Sequence, residues 1–208
     1  MLVVYIVLDP AREALFAERA ATRAPPTYCA RVEAMGSPAA RARTMAGLWL
    51  LEQGLALLDL PSDRIEGLGF GAGGRPQFAD GPSFSISHSG RLVACAVDAE
   101  GVIGLDVEQR RDGISPRLRR WVAPDGDFFA AWCAREAAVK ASGRVGLARI
   151  RATTIDGAFA CLDGHRWHLL PLSLAPGYAA CLATARTVAP AAIECVDAGD
   201  RLSRARAG

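Results

Sequence analysis

The sequence predicts an α+β fold, since short runs of β-branched apolar residues are mixed with stretches of helical composition. Each half of the 208 residues offers several such runs and one long helix. This pattern predicts an N-terminal subdomain over 1–98, a C-terminal subdomain over 99–198 and a flexible tail over 199–208. A hydrophobic share of 51% is enough for a sizeable core.

Charge and hydropathy argue against two classes of protein. A formal net charge of +2 does not indicate a strongly basic nucleic-acid-binding protein. The sequence has no apolar run of about 18 residues or more, so no membrane span is predicted. The six cysteines form no CxxC pair, which is typical of buried thiols in a reducing compartment and predicts a cytoplasmic protein.

The first half begins with a predicted strand at Val3–Leu8, followed by a predicted helix over Ala11–Thr22 that ends before Pro25-Pro26. A longer helix is expected from Ser37-Pro38 toward Leu58. Serine would be its N-cap and proline would occupy its first turn.

A β-hairpin is predicted next, because the apolar runs Leu92–Val97 and Val102–Val107 flank a turn-rich loop at 98–101. In that register Arg91 would lie opposite Glu108. The segment after the hairpin is predicted as follows: an Arg-rich loop over 109–120, a helix from Phe128 to about Ser142 capped by Asp127, and short strands over 150–184.

Two carboxylates occupy alternate positions of the second predicted hairpin strand. Asp106 and Glu108 should share one face, while Leu105 and Val107 point into the core. Carboxylates whose Cα atoms lie about 6.5–7 Å apart repel each other unless a cation lies between them. Hard oxygen ligands favour Mg²⁺, which keeps waters or substrate phosphates as further ligands. The alternative is a pair of solvated acids on an edge strand.

The predicted helix after Asp127 places Trp132, Glu136 and Lys140 on one ridge. Aromatic neighbours indicate that this side is partly buried, so the charged pair needs partners there. A metal ion for Glu136 and a phosphate for Lys140 would meet that need.

Further candidates for binding a phosphate precede the carboxylates. His88, with Ser87 and Ser89, should lie just past the end of the carboxylate strand, where a cationic or hydrogen-bonding side chain could contact a metal-bound diphosphate. Arg43 and Arg75 could each hold a phosphate through two hydrogen bonds.

These features occur in one order as five short blocks between residues 41 and 143. The blocks are Arg43-Thr44-Met45-Ala46-Gly47, Gly74-Arg75-Pro76, Phe84-Ser85-Ile86-Ser87-His88-Ser89-Gly90, Ile103-Gly104-Leu105-Asp106-Val107-Glu108 and Trp132-Cys133-Ala134-Arg135-Glu136-Ala137-Ala138-Val139-Lys140. Together they closely resemble the 4′-phosphopantetheinyl transferases of the two-subdomain, surfactin-synthetase type.

The resemblance implies two similar α+β subdomains related by a pseudo-twofold axis, forming a monomer that binds coenzyme A and Mg²⁺, or Mn²⁺, in the cleft between them. It implies Asp106, Glu108 and Glu136 as metal ligands, with Glu136 and Lys140 as catalytic residues. The positions that it assigns to coenzyme A are Arg43, Arg75, Ser87, His88, Ser89 and Lys140. Arg31 is a further basic candidate.

The implied activity is transfer of the 4′-phosphopantetheine arm from coenzyme A to a serine of an apo acyl or peptidyl carrier protein, with release of 3′,5′-ADP. Glu136 is the candidate general base. The short segment between Glu108 and Trp132 leaves the preferred carrier open, whether from fatty-acid, polyketide or nonribosomal peptide synthesis. Two alternatives also stay open: a metal-dependent phosphodiester hydrolase, and a non-catalytic module that binds coenzyme A or a carrier protein.

Overall fold

A computed structural model describes residues 1–19, 24–71 and 73–204 and shows mixed α and β structure, as predicted. The helices are α1 (Pro10–Glu18), α2 (Pro26–Glu33), α3 (Pro38–Leu57), α4 (Pro116–Val122), α5 (Phe128–Ala141), α6 (Leu147–Ala152) and α7 (Gly199–Arg204). The strands are β1 (Leu2–Val7), β2 (Leu68–Phe70), β3 (Pro76–Phe78), β4 (Ser83–Ser89), β5 (Leu92–Asp98), β6 (Ile103–Gln109), β7 (Thr154–Asp156), β8 (Phe159–Leu162), β9 (His165–Leu172), β10 (Tyr178–Thr184) and β11 (Glu194–Asp197).

The strands form two main sheets and one small hairpin, β2-β3. The first sheet has the order β11-β1-β5-β4, with β11 parallel to β1, and α3 packs against it. The second has the order β6-β10-β9-β8-β7, is wholly antiparallel, and carries α5. Strand β11 follows the second sheet in sequence but lies in the first, so the predicted subdomains 1–98 and 99–198 do not each hold one complete sheet. The pseudo-twofold relation stays a prediction.

The core explains which face of β6 is free for chemistry. In β5 the odd-numbered residues pack toward α3 and the even-numbered residues pack against the second sheet. In β6 the apolar residues Ile103, Leu105 and Val107 join the same cluster between the sheets. Because side chains alternate along a strand, Asp106 and Glu108 lie on the other face, beside α5.

The predicted hairpin between 92–97 and 102–107 is wrong. Strand β5 pairs with β4 across a two-residue turn and with β1 on its other edge, whereas β6 pairs with β10. Arg91 therefore does not lie opposite Glu108. The physical reason is that both edges of β5 are already hydrogen-bonded, so the chain crosses to a second sheet instead of returning beside β5.

Strands β4 and β6, at the edges of the two sheets, are joined through side chains. Both run in the same direction, and every second N–H of β6 donates to a serine hydroxyl of β4. The donor–acceptor pairs are Ile103–Ser83, Leu105–Ser85, Val107–Ser87 and Gln109–Ser89, at 2.9 to 3.2 Å. We call Ser83, Ser85, Ser87 and Ser89 the serine ladder. It supplies the acceptors that a neighbouring main chain would supply in a continuous sheet.

Two predicted helix starts are confirmed. The Ser37 side chain accepts the N–H of Ala40 at the start of α3, and Asp127 accepts the N–H groups of Phe129 and Ala130 at the start of α5. Both residues precede the first turn, where free N–H groups need acceptors.

Other local predictions need correction. Helix α1 ends at Glu18, and residues 20–22 of the predicted helix lie outside the described residues. Helix α2 begins at a proline where a break was expected, and helix α4 begins at a proline where a loop was expected. The physical reason is that proline is well suited to the first turn of a helix. The predicted tail begins with α7, whose Leu202 is buried, and 205–208 lie outside the described residues.

Burial of the cysteines follows the prediction only in part. Cys95, Cys133 and Cys181 are buried, whereas Cys161 and Cys195 are exposed. In the ranges that the structure describes, no helix has the length and apolar character needed to cross a bilayer.

Candidate functional site

Asp106 is the centre of the candidate site and is 3% exposed. Its Oδ1 accepts hydrogen bonds from Lys140 Nζ at 2.6 Å and from Ser87 Oγ at 2.9 Å. Its Oδ2 is also buried and has no hydrogen-bond partner among the described residues. A buried carboxylate oxygen without a partner is costly, so Asp106 is suited to a further cationic partner.

Glu108 continues the same face two residues along β6. Its Oε2 accepts a hydrogen bond from Ser89 Oγ at 2.7 Å and lies 3.3 Å from Arg111 Nη1. Arg111 belongs to the Arg-rich segment and was not singled out from the sequence. Its spacing of three residues from Glu108, just beyond the end of the strand, was the available signal.

Helix α5 brings Glu136 to the two strand carboxylates. Burial raises the pKa of Glu136 to about 7, and the negative charges of Asp106 and Glu108 act in the same direction. The nearby Lys140 ammonium and a hydrogen bond with Trp132 lower it in part. The three predicted carboxylates are therefore electrostatic neighbours, and their mutual repulsion would be relieved by a shared cation.

The close approach of α5 to β6 depends on Gly104. A Cβ atom at this position would overlap the carbonyl oxygen of Ala137 and the N–H nitrogen of Ala141. Glycine lets the helix backbone lie directly on the strand. Glu136 and Lys140 lie in the part of α5 that makes this contact. The backbone contact therefore fixes the positions of their Cα atoms relative to β6.

The residues of this cluster fit a magnesium ion by their chemistry. Mg²⁺ is usually held by one or two carboxylates together with waters and substrate phosphates. Across residues 1–19, 24–71 and 73–204, no group of three or more His, Cys, Asp or Glu side chains is arranged so that it could hold a metal ion. Asp106 and Glu108 nevertheless act electrostatically on Glu136, and Asp106 Oδ2 has no hydrogen-bond partner among the described residues.

A cleft lies on the face of β4 opposite to the serine ladder. Its lining includes Tyr28, Arg31, Thr44, Phe70 and His88. Tyr28 stacks on Phe70, and the Arg31 guanidinium lies 5.0 Å from the centre of the Phe70 ring. Arg31, which was only a further candidate from the sequence, therefore belongs to this cleft.

His88 lies at the mouth of the cleft, in a positive electrostatic environment. Partial burial lowers the pKa of His88, and the charges of Arg43 and Lys140 lower it further. Asp106 acts in the opposite direction, so the carboxylate cluster and the cleft are close to each other. Lys140 is paired with Asp106, whereas Arg31 and Arg43 add further positive charge on the His88 side, which suits an anion such as a phosphate.

Arg75 lies apart from this group. Its guanidinium donates hydrogen bonds to the carbonyl oxygens of Phe84 on β4, Ile103 on β6 and Lys140 near the end of α5. These contacts tie together the strands and the helix that carry the site. In this arrangement Arg75 acts on architecture, and its role toward a nucleotide stays a prediction.

Strand β4 carries three residues that were predicted to bind a phosphate: two serines, which face the carboxylates, and one histidine, which faces the cleft. Ser87 and Ser89 contact Asp106 and Glu108, whereas His88 points the opposite way. The sequence does contain a signal for the serine ladder, namely four serines at alternate positions of one strand. This spacing alone does not show which neighbouring strand the serine hydroxyls will bind.

Comparison with known proteins agrees with the resemblance drawn from the motifs. No protein-family model matches the chain. Over 75 residues the chain is 31% identical to a protein from Bacillus subtilis named 4′-phosphopantetheinyl transferase. This alignment covers 29% of the chain and 33% of the relative, so the chain matches about a third of the relative's length. The likeness supports the phosphopantetheinyl transferase superfamily at most.

Proposed function

We propose that this protein transfers the 4′-phosphopantetheine arm of coenzyme A to a serine of an apo acyl or peptidyl carrier protein in a Mg²⁺-dependent reaction. The observation that supports this most is the meeting of Asp106, Glu108, Glu136 and Lys140 beside a cleft with a positive rim. A diphosphate needs both a cation held by carboxylates and direct positive charge. The name of the B. subtilis relative agrees with this chemistry.

The extended substrate is expected to lie across the boundary of the two sheets. Its diphosphate would lie at the carboxylates, and its phosphorylated nucleotide end would lie in the cleft, near Arg31, Arg43 and His88. The resident Mg²⁺ would be held by oxygens of Asp106, Glu108 and Glu136 and would neutralise charge on the diphosphate.

The protein's own residues then act on positioning, charge and the proton. The carrier serine oxygen forms a bond to the phosphorus that bears pantetheine, and the bond from that phosphorus to the oxygen of 3′,5′-ADP breaks. Lys140 stabilises the charge that develops on the leaving phosphate. Glu136 accepts the proton of the serine hydroxyl as general base, through a carboxylate oxygen that the cation does not hold.

The test is a loading assay with a panel of apo carrier proteins, coenzyme A and Mg²⁺, read by intact mass. We expect a mass increase of one phosphopantetheine group on at least one carrier and release of 3′,5′-ADP. Parallel incubations with DNA, RNA and a simple phosphodiester test the hydrolase alternative. Cleavage of these substrates with no loading would overturn the proposal, and so would coenzyme A binding without turnover on any carrier.

A further inference from the structure

The hydroxyl of Ser87 has every hydrogen-bonding position occupied by the protein. A serine hydroxyl has one proton to donate and two lone pairs that accept. Ser87 Oγ donates to Asp106 Oδ1 at 2.9 Å, and it accepts from Val107 N at 3.2 Å and from Lys140 Nζ at 3.0 Å. A phosphate could bind this hydroxyl only after one of those bonds broke.

Ser89 repeats the arrangement two residues along β4. Its hydroxyl donates to Glu108 Oε2 at 2.7 Å and accepts from Gln109 N at 3.0 Å. Each of the two strand carboxylates thus has its own serine, and each serine is in turn held by an N–H of β6. The bond to Ser87 and Lys140 engages Asp106 Oδ1 alone and leaves Oδ2 without a partner within the described chain.

We infer that Ser87 and Ser89 are positioning residues, which orient Asp106 and Glu108 toward a divalent cation rather than bind the phosphates of coenzyme A. A carboxylate with one oxygen held by a fixed donor presents the other oxygen in a defined direction. Hydrogen bonds of this kind behind a metal ligand set its orientation and affinity. The inference rests on the proposed function only for the role of the cation.

The serine ladder contains matched controls for this assignment. Ser85 accepts the N–H of Leu105 at 2.9 Å and is 1% exposed, against 5% for Ser87, and it has no carboxylate partner in the described contacts. Ser83 accepts the N–H of Ile103 in the same way and is the control for Ser89. Ser87→Ala and Ser85→Ala each remove one ladder bond, but Ser87→Ala alone also removes the bonds of the hydroxyl to Asp106 and Lys140.

The experiment measures Mn²⁺ affinity by electron paramagnetic resonance for the wild-type protein, Ser87→Ala and Ser85→Ala, without coenzyme A. Affinity for 3′,5′-ADP is measured in the same proteins without metal. We expect Ser87→Ala to weaken Mn²⁺ binding about 10-fold or more, and Ser85→Ala to bind Mn²⁺ like the wild type. Both variants should bind metal-free 3′,5′-ADP like the wild type, and Ser87→Thr, which keeps the hydroxyl, should restore Mn²⁺ affinity.

Three results would overturn the inference. These are absence of Mn²⁺ binding to the wild type, equal loss in Ser87→Ala and Ser85→Ala, or a loss of 3′,5′-ADP affinity in Ser87→Ala with unchanged Mn²⁺ affinity. If Ser87→Ala does not fold, Ser89→Ala with Ser83→Ala as its control decides by the same criteria. If Mn²⁺ affinity responds as expected but no carrier is loaded, the proposed function fails while this inference stands.

Discussion

The two ends of the serine ladder make the same hydrogen bond in different surroundings. At one end Ser83 and Ser85 accept N–H groups of β6, and the nearby Arg75 binds carbonyl oxygens of β4, β6 and α5. At the other end Ser87 and Ser89 accept the same kind of N–H and also hold Asp106 and Glu108. Among the described residues, the hydroxyls of Ser83 and Ser85 bind only the backbone of β6, so their role is to join the two sheets. Ser87 and Ser89 join the sheets in the same way and also position the charges of Asp106 and Glu108.

The largest expected effect comes from Asp106 at the charged end. Asp106→Asn keeps the shape of the side chain but removes the negative charge that faces Lys140 and the proposed cation. We expect carrier loading to fall at least about 100-fold, which corresponds to roughly 3 kcal/mol of lost transition-state stabilisation. Intact-mass kinetics measure it, with Ser85→Ala as the control. Loading by Asp106→Asn at the wild-type rate would contradict the proposed site.

The second effect comes from Arg75 at the structural end. Arg75→Met leaves three partly buried carbonyl oxygens without their cationic donor, so we expect the free energy of unfolding to fall by about 3 kcal/mol. Urea unfolding measures this change. The affinity for 3′,5′-ADP, measured well below the unfolding transition, should stay close to that of the wild type.

Arg75→Lys separates the two roles of this position. Lysine keeps the charge but cannot reach three carbonyl oxygens in the manner of a guanidinium. We expect it to be destabilised nearly as much as Arg75→Met. A stable Arg75→Met variant that has lost 3′,5′-ADP affinity would instead support the sequence prediction that Arg75 binds the nucleotide end.

Gly104 tests whether the two ends are coupled through α5. In Gly104→Ala the new methyl group would overlap the backbone at Ala137 and Ala141, so α5 must shift away from β6. We expect a loss of about 2 kcal/mol in unfolding free energy, together with slower loading because Glu136 and Lys140 move relative to Asp106. Urea unfolding and the loading assay measure the two effects.

The control variant is Gly143→Ala, at the end of the helix. The φ of Gly143 is +69°, so an alanine there should lower stability without any overlap with the backbone. Loss of stability with unchanged loading in Gly104→Ala would separate the helix position from the chemistry.

The smallest effect is expected at the other terminus of α5. Asp127→Ala removes the N-cap of the helix, which should cost about 1 kcal/mol of stability at neutral pH. Arg110 holds the pKa of Asp127 below its ordinary value of 3.8, with the cap bonds acting in the same direction. A carboxylate whose pKa is lowered by folding stabilises the protein above its unfolded pKa, and this contribution is lost as the pH falls through the folded pKa.

Urea unfolding at neutral pH and at acidic pH measures this difference between Asp127→Ala and the wild type. The difference should shrink in acid. Arg110→Met, which removes the ion pair but keeps the cap, should have a smaller effect than Asp127→Ala. Mn²⁺ affinity should not change in either variant, and a change would show that the N-terminus of α5 also positions the carboxylates.

Local patterns predicted much of this molecule. Ser37 and Asp127 were predicted as caps because unpaired N–H groups at a helix start need short polar acceptors. Asp106 and Glu108 were predicted on one face because a strand has a side-chain period of two. These predictions depend only on residues that are close together in the chain, and the structure confirms them.

Strand pairing and the positions of the arginines were not predictable in the same way. The hairpin expected around 98–101 fails because the partners of β5 and β6 come from distant parts of the chain, β1 and β10. Arg75 was expected at a phosphate because a guanidinium fits one, but it fits three converging carbonyl oxygens equally well. Whether a guanidinium contacts a phosphate or carbonyl oxygens depends on long-range packing.

By itself the sequence determined the mixed α and β character, the caps of the long helices and the shared face of the two strand carboxylates, because these follow from the geometry of a single helix or strand. Only the tertiary structure decided that β6 would lie beside β4, that α5 would rest on Gly104, and that serines would stand behind Asp106 and Glu108. These contacts join residues at least 19 positions apart, and they form only when the hydrophobic faces of two sheets and two helices have been buried together.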